Sequence, residues 1–166
     1  MDIQTSRSRG GGSSETREKS YDVYLSFRGP DTREGFVDHL YERLLGQEVR
    51  VFKDDEELVM GEDVGASLRR TIRLSKIAIP ILSESYASSR LCLMELAQIV
   101  EYHKTTGQII MPVFFNVTPS VVKNKSHGYG EAIARHRERG IDPDTLRKGE
   151  EALSYVGSIP GLEIDR

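Results

Sequence analysis

The chain of 166 residues contains no tryptophan and a single cysteine, Cys92. One thiol builds neither a disulfide framework nor a cysteine-based zinc site, and it suits a reducing compartment. The four histidines, His39, His103, His127 and His136, are scattered without ligand spacing, so no metal is expected. No stretch approaches the ~18 apolar residues that a membrane span needs. The first residues lack the apolar segment of a secretory signal, and Asp2 stands where myristoylation requires glycine. Cytoplasmic location is therefore the expectation, with nuclear entry also allowed. An excess of one charge is missing too: 23 basic and 26 acidic residues leave a net charge of −3. That argues against nucleic-acid and anionic-membrane partners, which select for a basic surplus.

What is present fits one globular domain: 37% apolar and 30% charged residues. Residues 1–20 are rich in Ser, Gly, Arg and Glu and nearly free of apolar side chains, so they cannot bury enough surface to offset their ordering entropy. This segment is expected to be a disordered leader, followed by a folded domain over 21–160 and a short tail or linker start over 161–166. Since Arg166 comes soon after the last helical pattern, further domains are expected downstream.

From Tyr21 onward, short apolar runs alternate with amphipathic stretches. The runs are Tyr21–Phe27, Val49–Phe52, Lys76–Leu82 and Ile109–Phe115. Their β-branched and aromatic content suits strands buried on both faces of a parallel sheet, although Pro80 and Pro112 each remove a ladder donor. Between them, Phe36, Leu40 and Leu44, flanked by Val37, Tyr41 and Leu45, form one helical stripe. Val64, Leu68 and Ile72 form a second; Leu93, Leu96, Ala97 and Val100 form a third. Weaker patterns predict helices over Tyr129–Arg139 and Pro143–Val156, the latter with Asp142 as N-cap. Strand–helix alternation predicts a doubly wound α/β fold of flavodoxin-like order, with about five parallel strands and helices on both faces.

In such sheets ligands bind beyond the carboxyl ends of the strands, near the point where strand order reverses. Three loops meet there: Arg28–Arg33, Lys53–Asp63 and Ser83–Arg90. The acidic run Asp54–Glu57 within the second reads as a solvated face. Glu95 enters two turns into the helix that follows the third loop, and its side chain leans back toward the cleft. Taken by itself it reads first as an acid favoured by the helix dipole. Cys92 reads as a small buried hydrophobe, since no histidine is near it in sequence. A phospho-receiver would need an acidic pair after strand one and an aspartate after strand three; Arg28-Gly29 and Ser83-Glu84 stand there instead.

The boxes YDVYLSFRGPDTR from Tyr21, TIRLSKIAIPILSESYASS, CLMELAQIV, PVFFNVTPS and GYGEAIARH occur in an order that resembles the plant type of the Toll/interleukin-1-receptor (TIR) family. The resemblance covers about residues 20–160. It implies a five-stranded flavodoxin-like fold, signalling through assembly in intracellular nucleotide-binding, leucine-rich-repeat immune receptors, and in many members hydrolysis of NAD or NADP at the nicotinamide–ribose bond. The dinucleotide is then substrate and no bound cofactor is expected. Glu95, in the box Cys92-Leu93-Met94-Glu95-Leu96, takes the catalytic role. The substrate-lining positions fall on Phe27, Arg28, Gly29, Pro30, Asp31, Thr32, Arg33, Gly61, Asp63 and Ser89. The self-association surface falls on Asp38 and His39, with other TIR domains as further partners. The chain departs from the family pattern at four places. Leu91 and Gly149 stand where tryptophan is usual, Asp38-His39 replaces Ser-His, and Thr118–Lys123 replaces D-P-S-D-V-R. Leucine packs but does not stack on planar rings. A non-catalytic oligomerisation module is the alternative function.

Overall fold

The computed structural model describes residues 20–53 and 64–166. Strand β1 (Tyr21–Ser26) leads through a short helical turn α1 (Gly29–Thr32) and a π-helical turn (Arg33–Val37) into α2 (Asp38–Gly46) and β2 (Val51–Lys53). Then come α3 (Val64–Arg73), β3 (Ser75–Leu82), a 3-10 turn (Tyr86–Ser88), α4 (Arg90–Thr106), β4 (Ile109–Ile110) and β5 (Val113–Phe115). Helices α5 (Pro119–Asn124), α6 (His127–Glu138) and α7 (Pro143–Val156) precede β6 (Leu162–Ile164). All pairings are parallel, in the order β2-β1-β3-β5-β6 with β4 also beside β3.

The fourth predicted strand is split, and proline is the reason. Ile77 and Ala78 pair with Ile109 and Ile110, while Ile81 and Leu82 pair with Val113 and Phe114. The register is the same on both sides of the break, so Pro112 lies alongside Pro80. The Met111 amide donates to the Ala78 carbonyl at 2.9 Å. The next donor in a parallel ladder falls at residue 80, which has no N–H. Counting β4 and β5 as one interrupted strand gives the flavodoxin-like order. Its fifth member is β6, which the sequence pattern assigned to a tail. Leu162–Ile164 is too short to show a period, and pairing with Val113–Phe115 makes it a strand.

Right-handed crossovers fix where the helices go. Only the β1-to-β2 connection steps one way along the sheet; the later ones step the other way. Accordingly α2 alone packs on one face, with Leu40, Tyr41 and Leu44 against Val23, Leu25, Val51 and Ile81. The opposite face is covered by α3 to α7 and holds the larger core: Tyr24, Leu68, Ile72, Leu82, Leu93, Leu96, Phe114 and Leu153. On the α2 face Ile109, Met111 and Leu162 stay more than half exposed, and Leu45, read into the helical stripe, is also exposed. The side chain of Val64 lies outside the described set.

Local signals account for several helix ends. Asp142 accepts from the Thr145 amide at 3.0 Å and Pro143 sits in the first turn of α7, as predicted. The same signature, Thr118 accepting from Val121 N at 3.2 Å ahead of Pro119, starts α5, a helix too short to show a stripe. Gly107 closes α4 with a left-handed φ of 80°. Gly149 has a packing role: a Cβ there would come within 3.2 Å of Leu93 Cβ, so glycine lets α7 lie close on α4.

Candidate functional site

Strand order reverses at β1, with β2 on one side and β3 on the other, so the exits of β1 and β3 form the crevice of the fold. Helix α4 begins there. Ser89 caps it, its Oγ accepting from Cys92 N at 3.1 Å. Glu95 follows in the second turn and is 2% exposed. It is therefore no solvated dipole acid; its carboxylate reaches inward to β1. Tyr24 donates its phenol proton to Oε2 at 2.8 Å, and Ser26 donates its hydroxyl proton to Oε1 at 2.6 Å. The Ser26 Oγ lies 2.7 Å from the Tyr86 hydroxyl. Ser26 has one proton, already given to Glu95, so Tyr86 is the donor of that pair. The Tyr86 hydroxyl also donates to the Cys92 carbonyl at a longer 3.3 Å, so its single proton is shared between the two acceptors.

Tyr24 and Ser26 are the partners of Glu95 that sequence reasoning missed. They stand two apart on one strand and so share a face. The available signal was a serine and a tyrosine inside a run expected to be buried on both sides, where hydroxyls need partners. Burial, and then the nearby Cys92 and Glu95, push the Tyr86 phenol well above its usual range. Tyr129 is pushed up in the same way, by burial first.

A second set of bonds ties the two loops together. Asp31 Oδ2 accepts from Ser83 Oγ at 2.6 Å, Ser85 N at 2.8 Å and Ser85 Oγ at 2.6 Å. Partial burial alone would raise the Asp31 pKa, but the Ser83 and Ser85 bonds and the Arg28 charge outweigh it and hold the carboxyl below its ordinary value. Helix α6 braces the same loop: Tyr129 donates to the Ser83 carbonyl at 2.6 Å. His136 Nε2 lies 2.9 Å from the Ala87 carbonyl, and since a carbonyl only accepts, that nitrogen carries the proton.

The structure brings some of the expected residues to the crevice and gives others different work. Glu95, Arg28, Asp31 and Ser89 gather at the β1 and β3 exits, with Arg28 half-buried and Gly29 buried beside them. Asp31 serves as the loop tie and Ser89 as the helix cap. The ring of Phe27 belongs to the core of the α2 face, away from Glu95, although its carbonyl lies 3.6 Å from Cys92 Sγ. Pro30, Thr32 and Arg33 lie in the helical turns after β1, their side chains outside the described set; Gly61 and Asp63 lie outside the described residues altogether. Asp38 and His39 are exposed at the start of α2, apart from the crevice, with Asp38 3.6 Å from Lys53 Nζ. Leu91 is half-buried against the larger core. Among the described residues no group of three or more His, Cys, Asp or Glu is placed to hold a metal. A groove of about 420 Å³ is lined by outer residues of α4, such as Met94 and Gln98, together with Arg69 and Lys148. Glu95 is not in its lining.

A family model described as the TIR domain matches residues 20–165. The chain belongs to the TIR family. The TIR domain is 39% identical over 164 residues to disease resistance protein RPV1 of Vitis rotundifolia, covering 96% of this chain and 12% of that protein. It is 37% identical over 150 residues to TMV resistance protein N of Nicotiana glutinosa, covering 90% of this chain and 13% of that one. The chain thus spans about an eighth of the length of these relatives. Among solved structures it is similar to the TIR domains of the activated Roq1 resistosome, which directly recognises the pathogen effector XopQ. That match has a TM-score of 0.78, 38% identity, and coverage of 87% of this chain and 88% of the other. No described helix is long and apolar enough to cross a membrane.

Proposed function

We propose that this TIR domain is a self-associating, cytoplasmic signalling module of plant innate immunity that hydrolyses NAD or NADP at the nicotinamide–ribose bond when assembled. The observation that carries the reading is Glu95: a carboxylate held at the crevice of the sheet by hydroxyls of β1. Breaking the glycosidic bond leaves positive charge on the ribose, and a fixed carboxylate in a water-poor site stabilises it. The bond electrons go to the nicotinamide nitrogen, which leaves neutral. The oxygen of water bonds to the ribose carbon and its proton passes to solvent. The leaving group is already cationic in the substrate, so no general acid is required. Arg28, half-buried at the exit of β1, is the cation we assign to the pyrophosphate, because guanidinium geometry suits phosphate. Assembly is supported by the likeness to TIR domains within a resistosome, and exposed Asp38 and His39 supply a contact surface.

The experiment is NAD consumption by concentrated, crowded protein for wild type, Glu95→Ala and Leu91→Trp. Cleavage by wild type that disappears in Glu95→Ala is the expected result. Silence in wild type with activity in Leu91→Trp assigns the loss to the missing aromatic. Silence in all three favours a second reading, a non-catalytic oligomerisation module; the 2% exposure of Glu95 is the observation on its side.

A further inference from the structure

We propose that Tyr24 and Ser26, backed by Tyr86, are positioning residues that aim the Glu95 carboxylate and stabilise its charged form for bond cleavage. The inference rests on the hydrolase reading above. It starts from the cost of burying Glu95, since desolvation disfavours a charged carboxylate and hydrogen bonds donated to that charged form favour it. Both carboxylate oxygens receive such a bond, from hydroxyls two residues apart on one strand. Tyr24 is paired on both sides, to Phe52 of β2 and Ala78 of β3, and Ser26 is paired to Pro80 of β3, so both donors stand on a strand fixed within the sheet. The contact is also long-range, joining residues 71 and 69 positions apart, so it fixes α4 against β1 as well as the carboxylate within its helix.

The hydroxyl of Tyr24 is separable from its packing. The ring stacks on Phe52 with centroids 5.2 Å apart, and phenylalanine would keep that contact while losing the bond to Glu95. Tyr86 holds Ser26 from the third side at 2.7 Å and is itself buried, so the order of donation runs from Tyr86 to Ser26 to Glu95. Among the described residues, the titratable groups near Glu95 include Tyr24 from β1, Tyr86 from the turn after β3, and Cys92 one turn earlier on α4. The two phenols are donors; neither supplies positive charge. What these groups supply is hydrogen bonds, and each bond is removable by a single substitution.

The test compares wild type, Tyr24→Phe and Ser26→Ala as whole chains, with thermal unfolding as the check on folding. Two readouts are taken: kcat and KM for NAD against pH under crowded conditions, and titration of the Glu95 carboxyl by NMR on glutamate-labelled protein without substrate. Tyr24→Phe is expected to lower kcat by about 10- to 100-fold, the range for one hydrogen bond to a charged group. KM should change by less than about threefold, since ground-state binding is not addressed. The acidic limb of kcat and the Glu95 titration should both move to higher pH. Unchanged kcat with an unmoved limb would overturn the proposal. If wild type itself leaves NAD intact, only the hydrolase reading fails; the Glu95 titration then decides, an upward move in Tyr24→Phe supporting the clamp and no move overturning it.

Discussion

Replacing Asp31 by alanine removes one oxygen that takes three hydrogen bonds, from the Ser83 hydroxyl, the Ser85 amide and the Ser85 hydroxyl. A hydrogen bond to a charged group contributes about 1.5–3 kcal/mol when buried. Asp31 is only half-buried and its three donors share one oxygen, so the sum falls to about 2–4 kcal/mol. For a domain of this size each kcal/mol moves the thermal midpoint by roughly 2–4 °C, which gives a fall of roughly 4–16 °C. Asp31→Asn keeps a neutral acceptor and should lose about half as much. The pH dependence follows from the direction of the shift. The folded pKa is held below the unfolded one, so the stabilisation is fully present above the ordinary carboxylate value and is lost as pH falls through the folded one. Chemical denaturation of wild type and Asp31→Asn from pH 7 downward should therefore show a gap that narrows in acid. A loss below about 1 kcal/mol for Asp31→Ala at pH 7, or a gap independent of pH, would refute the idea that this carboxylate ties the two loops.

Two further substitutions test the packing. Gly149→Ala gains about 1 kcal/mol of helix propensity, but its Cβ presses on Leu93 at 3.2 Å, and overpacking costs about 1–3 kcal/mol; denaturation should show a net loss, and a gain of about 1 kcal/mol would mean that α7 can move. Asp142→Ala removes the cap of α7 and should cost about 1 kcal/mol by denaturant midpoint, with no change in any activity assay because the helix start is exposed and far in sequence from Glu95.

Fold class, strand order and most helices were legible in the sequence because they rest on patterns along the chain: buried apolar runs, stripes at helical spacing, and the cap at Asp142. The doubly wound fold followed from alternation and from the handedness of crossovers. The order of the boxes pointed to the TIR family, and with it to Glu95. Only the tertiary structure decided the rest. Pairing made Leu162–Ile164 a strand, since three residues have no period to read. The alignment of Pro80 with Pro112 split the fourth strand, a coincidence that depends on register. Phe27 went to the core of the α2 face and Tyr24 with Ser26 to the other, because alternate residues of a strand point opposite ways and the sequence does not say which face meets α4. Asp31 and Ser83 are 52 positions apart, and Glu95 lies 71 from Tyr24. Side chains that far apart in the chain acquire one another as partners only when the strands and helices that bear them have docked.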